Sequence, residues 1–213
     1  MLPSICPIIR TNFLHLTVIG FISSYILKNS MAHIKLPEEI PGIRGLFNFS
    51  PKSAVPLLEL AEVLLRGENS LSPKEREIIA TYVSFLNECK FCMNSHAAIV
   101  RHLNDGDKEL MEKVKEDYMS APISNKLKAL LTIAAKVQKE ARKVLPSDIL
   151  KAQESGATDK EIHDAVLIAA AFCMYNRYVD GLGAEGWETE ELYYEKARNS
   201  VSQGYAPPVK PSR

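Results

Sequence analysis

Residues Ile162 to Leu182 restrict the fold more than any other stretch of the chain. Thr158-Asp159-Lys160-Glu161 just before them reads as a capping box, with threonine at the N-cap and glutamate three residues on. The residues that follow include Ala165, Leu167, Ile168, Ala169, Ala170, Ala171 and Phe172, which leave no polar side to a helix. A helix apolar all round has to lie at the centre of its domain, with other helices around it. The remaining sequence supplies them. Ser72-Pro73-Lys74-Glu75 is another capping box, with proline at the first helical position. Upstream, Leu57, Leu60, Ala61, Leu64 and Leu65 recur at helical spacing until Gly67 to Ser70 break the pattern. Ser124 to Val144 carries Leu127, Leu130, Leu131, Ala134, Val137 and Ala141 along one side. Shorter helices are predicted over Lys108–Asp117 and Asp148–Gln153, and a last one over Trp187–Ser200. No strand-like run bounded by turns and no glycine-rich phosphate loop is present in the sequence. The expected fold is all-α, a bundle built on helical hairpins.

The ends of the chain read differently. Residues 33–50 mix Pro37, Pro41, Gly42 and Gly45 with Ile40, Ile43, Leu46 and Phe47, which predicts an extended arm wrapped on its own domain or a neighbouring subunit. Phe13 to Leu27 is mostly apolar and follows Arg10, yet it is shorter than the roughly 20 residues that span a bilayer. With Ser30-Met31-Ala32 behind it, this stretch resembles a signal peptide. The rival reading takes residues 1–31 as an upstream extension and Met31 as the true start. The working domain is then 32–202, and 203–213, with its three prolines, reads as a flexible tail.

With 213 residues the chain has room for one well-packed domain. Its formal net charge of zero gives no reason to expect nucleic acid or an anionic membrane as partner. Four cysteines, two of them in one CxxC, do not make a secreted disulfide framework. Cys6 lies in the N-terminal stretch, and Cys173 sits in the apolar helix and reads as core. A cytoplasmic location is expected, or export if residues 1–32 are a signal.

Chemistry concentrates between Glu77 and His96, EIIATYVSFLNECKFCMNSH. On a helix Cys89 and Cys92 stand one turn apart, and His96 lies four residues beyond Cys92 on the same face. Asn87 reads as the N-cap. Both sulfurs then fall in the first turn, where the helix dipole and the CxxC setting favour a thiolate over a thiol of pKa about 8.5. Glu77 belongs to the preceding helix. In an αα-hairpin hinged at Asn87 it comes level with His96, so carboxylate, imidazole and sulfur can form a proton relay. Blander readings stand beside this one. One has Cys89, Cys92 and His96 holding zinc with His102 or Glu77, although no second ligand pair at short spacing is present. The cysteines can be inert core residues, Glu77 a solvated first-turn charge and His96 an ordinary helix histidine. Tyr175, Asn176, Arg177 and Asp180 mark the later part of the apolar helix. Arg177 and Asp180 read as a surface or interface ion pair, or else that segment lines the thiol pocket.

The pattern Glu77-x11-Cys89-x2-Cys92-x3-His96 resembles the signature of the alkylhydroperoxidase D-like (AhpD-like) families of the carboxymuconolactone decarboxylase superfamily. The likeness is closest to the subgroup of peroxidase-related enzymes. It runs from MAHIKLPEEIPGIRGL, beginning at Met31, through LAEVLLRGENSLSPKEREIIATYVS to AAAFCMYNRYVDGLG, ending at Gly183. Because it begins at Met31, it favours that residue as the start. The resemblance implies an AhpD-like bundle assembled as a homo-oligomer, a trimer or hexamer. It implies a thiol peroxidase acting on hydroperoxides through a redox-active disulfide, with Cys92 attacking, Cys89 resolving, and Glu77 and His96 as relay. A dithiol or a thioredoxin- or lipoyl-type protein would be the reductant, with no cofactor and no metal. One departure is clear: Phe91 occupies the place of the family's second histidine. The decarboxylase branch lacks the cysteine pair, which argues against lactone chemistry. The alternatives that stay open are a dithiol-disulfide oxidoreductase acting on another protein, and a non-enzymatic redox-sensing or zinc-binding scaffold.

Overall fold

The structure is a computed structural model, and it describes residues 32–205 except Glu38. The proposed start at Met31, the signal-like segment and Cys6 lie outside the described residues, as do residues 206–213. Nine α-helices and no strand are found among the described residues. They are α1 Ile43–Phe49, α2 Pro51–Leu65, α3 Pro73–Leu86, α4 Lys90–Leu103, α5 Glu109–Asp117, α6 Asn125–Glu140, α7 Pro146–Glu154, α8 Asp159–Gly181 and α9 Glu190–Gln203. A short 3-10 turn, Ala141–Lys143, follows α6. The fold is all-α, and none of these helices is long and apolar enough to cross a membrane.

The centre of the domain is α3, not α8. Every residue from Arg76 to Ser84 is buried, and the helix packs against α2, α4, α5, α6 and α8. Its polar residues are paired within the protein. Thr81 Oγ1 donates to the Glu77 carbonyl at 2.7 Å, and Ser84 Oγ to that of Ala80 at 2.9 Å. Arg76 Nη1 donates to the carbonyls of Leu64 and Gly67 at 3.1 and 3.0 Å, completing the C-terminal end of α2. By contrast α8 buries Ile162, Ala165, Ile168, Ala169, Phe172 and Val179 but leaves Leu167, Ala170 and Met174 on an exposed strip. Among the described residues no helix covers that second face.

The capping boxes at Ser72 and Thr158 form as read, each with both reciprocal bonds. Two local readings are corrected. The arm is not extended throughout, since Ile43–Phe49 is helical. Gly42, at φ 62°, turns the chain and gives its N–H to the Glu185 carbonyl at 2.6 Å. This lets Leu46 point inward from a short amphipathic helix. A side chain at Gly42 would overlap the Phe91 ring. The second correction concerns Asn87, which ends α3 and does not cap α4; the N-cap of α4 is Cys89 itself. The Cys89 N–H returns to the Ser84 carbonyl at 3.0 Å, and Glu88 between them takes φ 60°. That is a left-handed helix terminus of the kind glycine usually supplies.

A polar network pins this hinge. The Asn87 amide donates to Asn176 Oδ1 at 2.8 Å and accepts from Gln138 Nε2 at 2.9 Å. Asn176 Nδ2 in turn reaches Ser84 Oγ at 3.1 Å. Residues of α3, α6 and α8 thereby fix where α4 begins. Because Glu88 holds a left-handed conformation, Glu88→Val is expected to lower the unfolding free energy by about 1–2 kcal/mol. Glu88→Gly is expected to leave it unchanged or raised, and urea unfolding of both variants checks the pair.

Candidate active site

Because α3 and α4 form an antiparallel hairpin, Glu77 and His96 face each other. His96 Nδ1 lies 2.6 Å from Glu77 Oε2. The carboxylate is wholly buried, and two further groups reach its other oxygen. Arg66, the C-cap of α2, places Nη1 2.7 Å from Oε1. The Tyr205 hydroxyl donates to the same oxygen at 2.5 Å and sits 3.3 Å from His96 Nδ1. The imidazole is wedged edge-on to Phe172, with centroids 4.7 Å apart, and stacks on Tyr205 at 5.9 Å. The Arg66 guanidinium lies 4.9 Å over the same tyrosine ring.

Burial by itself would push the Glu77 carboxyl up. His96, Arg66 and Tyr205 outweigh it and hold the group below its ordinary range, so it is a carboxylate. Burial and the adjacent carboxylate push the Tyr205 phenol well above its usual value, so it remains a donor. With Glu77 accepting from Nδ1, the second imidazole nitrogen, Nε2, is left to exchange protons.

The sulfurs sit at the start of α4, Cys89 at the N-cap and Cys92 at the third helical position, both as free thiols. They are 0% and 3% exposed. The Cys89 thiol is pushed far above its ordinary range, first by its hydrogen bond to Cys92, then by burial, and also by a hydrogen bond to the Asp180 side chain. The helix-dipole expectation therefore fails for Cys89, whose thiol stays protonated. Cys173, half-buried, is hydrogen-bonded by Asn87 Nδ2 at 3.6 Å. Arg177 does not pair with Asp180, because its guanidinium turns back to the Cys173 carbonyl at 2.8 Å. Asp180 faces the thiols instead.

A cavity of about 290 Å³ opens beside the site, bounded by Phe91, Ser95, His96, Ile99, Trp187 and Tyr205 among others. Neither sulfur lines it. Phe91 is a wall, its ring 5.9 Å from Trp187 and 6.1 Å from Tyr193. His102 is turned away from the cysteines, with Nε2 2.7 Å from the Tyr194 carbonyl and its ring stacked on Tyr194 at 3.9 Å. Among the described residues no group of three His, Cys, Asp or Glu side chains is placed to hold a metal ion.

Sequence reading missed Arg66 and Tyr205. Nothing local distinguishes Arg66 from any cation at a helix end. Tyr205 is the only aromatic residue in the supposed tail, and it follows a glycine. That was the available signal. The tail is not loose at its start, because a buried phenol with a charged acceptor fixes residue 205.

Residues 51–117, covering α2 to α5, match the carboxymuconolactone decarboxylase family. The chain is similar to an uncharacterized peroxidase-related protein from Ralstonia eutropha described as an alkylhydroperoxidase AhpD core. The identity is 23% over 80% of this chain and 98% of that one, with TM-score 0.69. It is also similar to an uncharacterized peroxidase-related protein from a Silicibacter species, at 25% identity over 86% and 90%, TM-score 0.66. A protein of unknown function from Agrobacterium tumefaciens, provisionally named the antioxidant defence protein AhpD, shares 20% identity over 67% and 97%, TM-score 0.59. No curated protein matches. The matched segment carries Arg66, Glu77, Cys89, Cys92 and His96. In fold the chain is like these AhpD-type, peroxidase-related structures.

The acid side of the stability curve follows from Glu77. Its folded pKa lies below the ordinary 4.5, so its stabilisation is complete above about pH 4.5 and is lost as pH falls through the folded value. Glu161 and Asp164, ion-paired with Lys126 and Lys160, act in the same sense. Urea unfolding from pH 7 to pH 3 is expected to show stability falling below about pH 4.5. Glu77→Gln should cost roughly 3–5 kcal/mol at pH 7 and flatten that fall, because the half-buried Arg66 loses its anion and His96 Nδ1 its charged acceptor.

Proposed function

We propose that this chain is a thiol-dependent peroxidase that reduces hydroperoxides through Cys92 and Cys89. The observation that carries the reading is the 2.6 Å contact between His96 and the buried Glu77, on the same hairpin as two adjoining free thiols. The Cys89 thiol, held up by burial and its neighbours, suits the resolving role, and Cys92 is assigned the attack. The Cys92 thiolate attacks the terminal oxygen of the hydroperoxide; the S–O bond forms, the O–O bond breaks, and the leaving alkoxide takes a proton by way of His96. Cys92 is then a sulfenic acid. Cys89 loses its proton and attacks the Cys92 sulfur; the disulfide forms and the hydroxyl departs as water. An external dithiol returns two electrons and restores both thiols.

Phe91 stands where a second histidine would serve the thiol, so His96 is the imidazole of this site. Burial of both sulfurs favours a small oxidant over the disulfide of a folded protein, and it favours a slender dithiol, such as a lipoyl-type arm, as reductant. The exposed strip of Leu167, Ala170 and Met174 on α8, with Phe49 and Val63 also exposed, supports a homo-oligomer.

The test is peroxide consumption by the purified protein with a dithiol donor. Wild-type protein is expected to turn over, and Cys92→Ser to be inactive. Cys89→Ser should consume one equivalent of peroxide per chain and then stop, with a sulfenic acid on Cys92 detectable by mass spectrometry. Full turnover by Cys92→Ser would refute the assignment.

A further inference from the structure

We infer that Tyr205 is a positioning residue of the Glu77–His96 pair, and that its hydroxyl fixes which imidazole nitrogen carries the proton. The inference rests on the relay role of His96 proposed above. Tyr205 reaches the site by a defined route. The chain leaves α9 at Gln203, and Gly204, at φ 77°, turns it back toward α2. The Tyr205 N–H is then caught by Glu62 Oε2 at 2.6 Å. A Cβ on Gly204 would stand 2.4 Å from that same oxygen. The phenol is thus delivered to Glu77 by its own backbone anchor.

A hydroxyl has one hydrogen to give. Here it goes to Glu77 Oε1, the oxygen that also takes Arg66, at 2.5 and 2.7 Å. With Oε1 occupied from two sides, the carboxylate plane is set and Oε2 is the oxygen presented to His96 Nδ1 at 2.6 Å. A carboxylate is an acceptor only, so Nδ1 must carry the hydrogen, and in the neutral imidazole Nε2 carries the lone pair. The Tyr205 ring, stacked on the imidazole, restricts its rotation. Arg76 on α3 is committed to the carbonyls of Leu64 and Gly67, so it does not replace the hydroxyl. Without the hydroxyl, Arg66 alone holds Oε1, the carboxylate can swing out of line with Nδ1, and the contact that selects this tautomer weakens.

The experiment uses the full chain, wild-type and Tyr205→Phe, which keeps the ring and the backbone anchor and removes one oxygen. Two quantities are read at neutral pH: the imidazole ¹⁵N shifts of His96, and the rate at which hydrogen peroxide oxidises Cys92. Thermal unfolding is recorded alongside. In the wild type the shifts should show a proton on Nδ1 and a bare Nε2. In Tyr205→Phe the two ¹⁵N signals should move toward each other, and oxidation should slow by about tenfold, the weight of one hydrogen bond to a charged acceptor. A wild-type spectrum with the proton on Nε2 overturns the inference without any variant. So does a Tyr205→Phe protein whose spectrum and rate match the wild type, even if it is less stable, since the residue would then only fasten the chain end. If wild-type Cys92 reacts no faster than a free thiol, the peroxidase reading fails; the ¹⁵N comparison still shows whether the hydroxyl sets the tautomer.

Discussion

A carboxylate without access to water holds this domain together. An ionised side chain inside a protein is costly unless donors replace its hydration. Glu77 receives them from three distant segments: Arg66 at the end of α2, His96 within α4, and Tyr205 beyond α9. Each donor closes a long loop of chain onto α3. The charge therefore specifies how these pieces meet, beyond what apolar packing decides. Removing one partner strands the others, which explains why a polar cluster can persist at the centre of an otherwise apolar core.

The thiols depend on that arrangement at one remove. The left-handed Glu88 and the Asn87–Asn176–Ser84 contacts set the angle at which α4 leaves α3. That angle puts Cys89, wholly buried, at the N-cap and Cys92 one turn on. The two sulfurs differ in place, one at the N-cap and one within the first turn, although the sequence presents them as equivalent members of a CxxC. The cavity meets the site on the imidazole side, along Phe91 and Tyr205, while the sulfurs lie behind its wall.

Much of the fold was legible in the sequence because helix starts are local. Ser72 and Thr158 announce their helices with side chains three residues apart. The contact of Glu77 with His96 was also legible, since a hairpin of two regular helices converts spacing into geometry. Burial was harder to read. The sequence of α3, with its lysine, arginine and glutamates, looks half-solvated, yet this helix is the most enclosed. Its charges are neutralised by partners far along the chain, and periodicity cannot report those. The apolar α8 kept an open face for the converse reason, because apolar composition does not guarantee a covering element. Arg66 and Tyr205 escaped because their roles arise only when α2 and the segment after α9 fold onto α3. The Asn87 misreading came from a turn in which glutamate takes a conformation normally left to glycine.

The central claim is that an imidazole anchored by a buried carboxylate makes Cys92 reactive. The most direct measurement is the single-turnover rate of Cys92 oxidation by a hydroperoxide at neutral pH, followed through Trp187 fluorescence, in reduced wild-type and His96→Gln protein. General acid–base assistance is worth about 10²-fold or more, so the account predicts a fall of at least that size in the variant with the fold intact. Equal rates in the two proteins would contradict it.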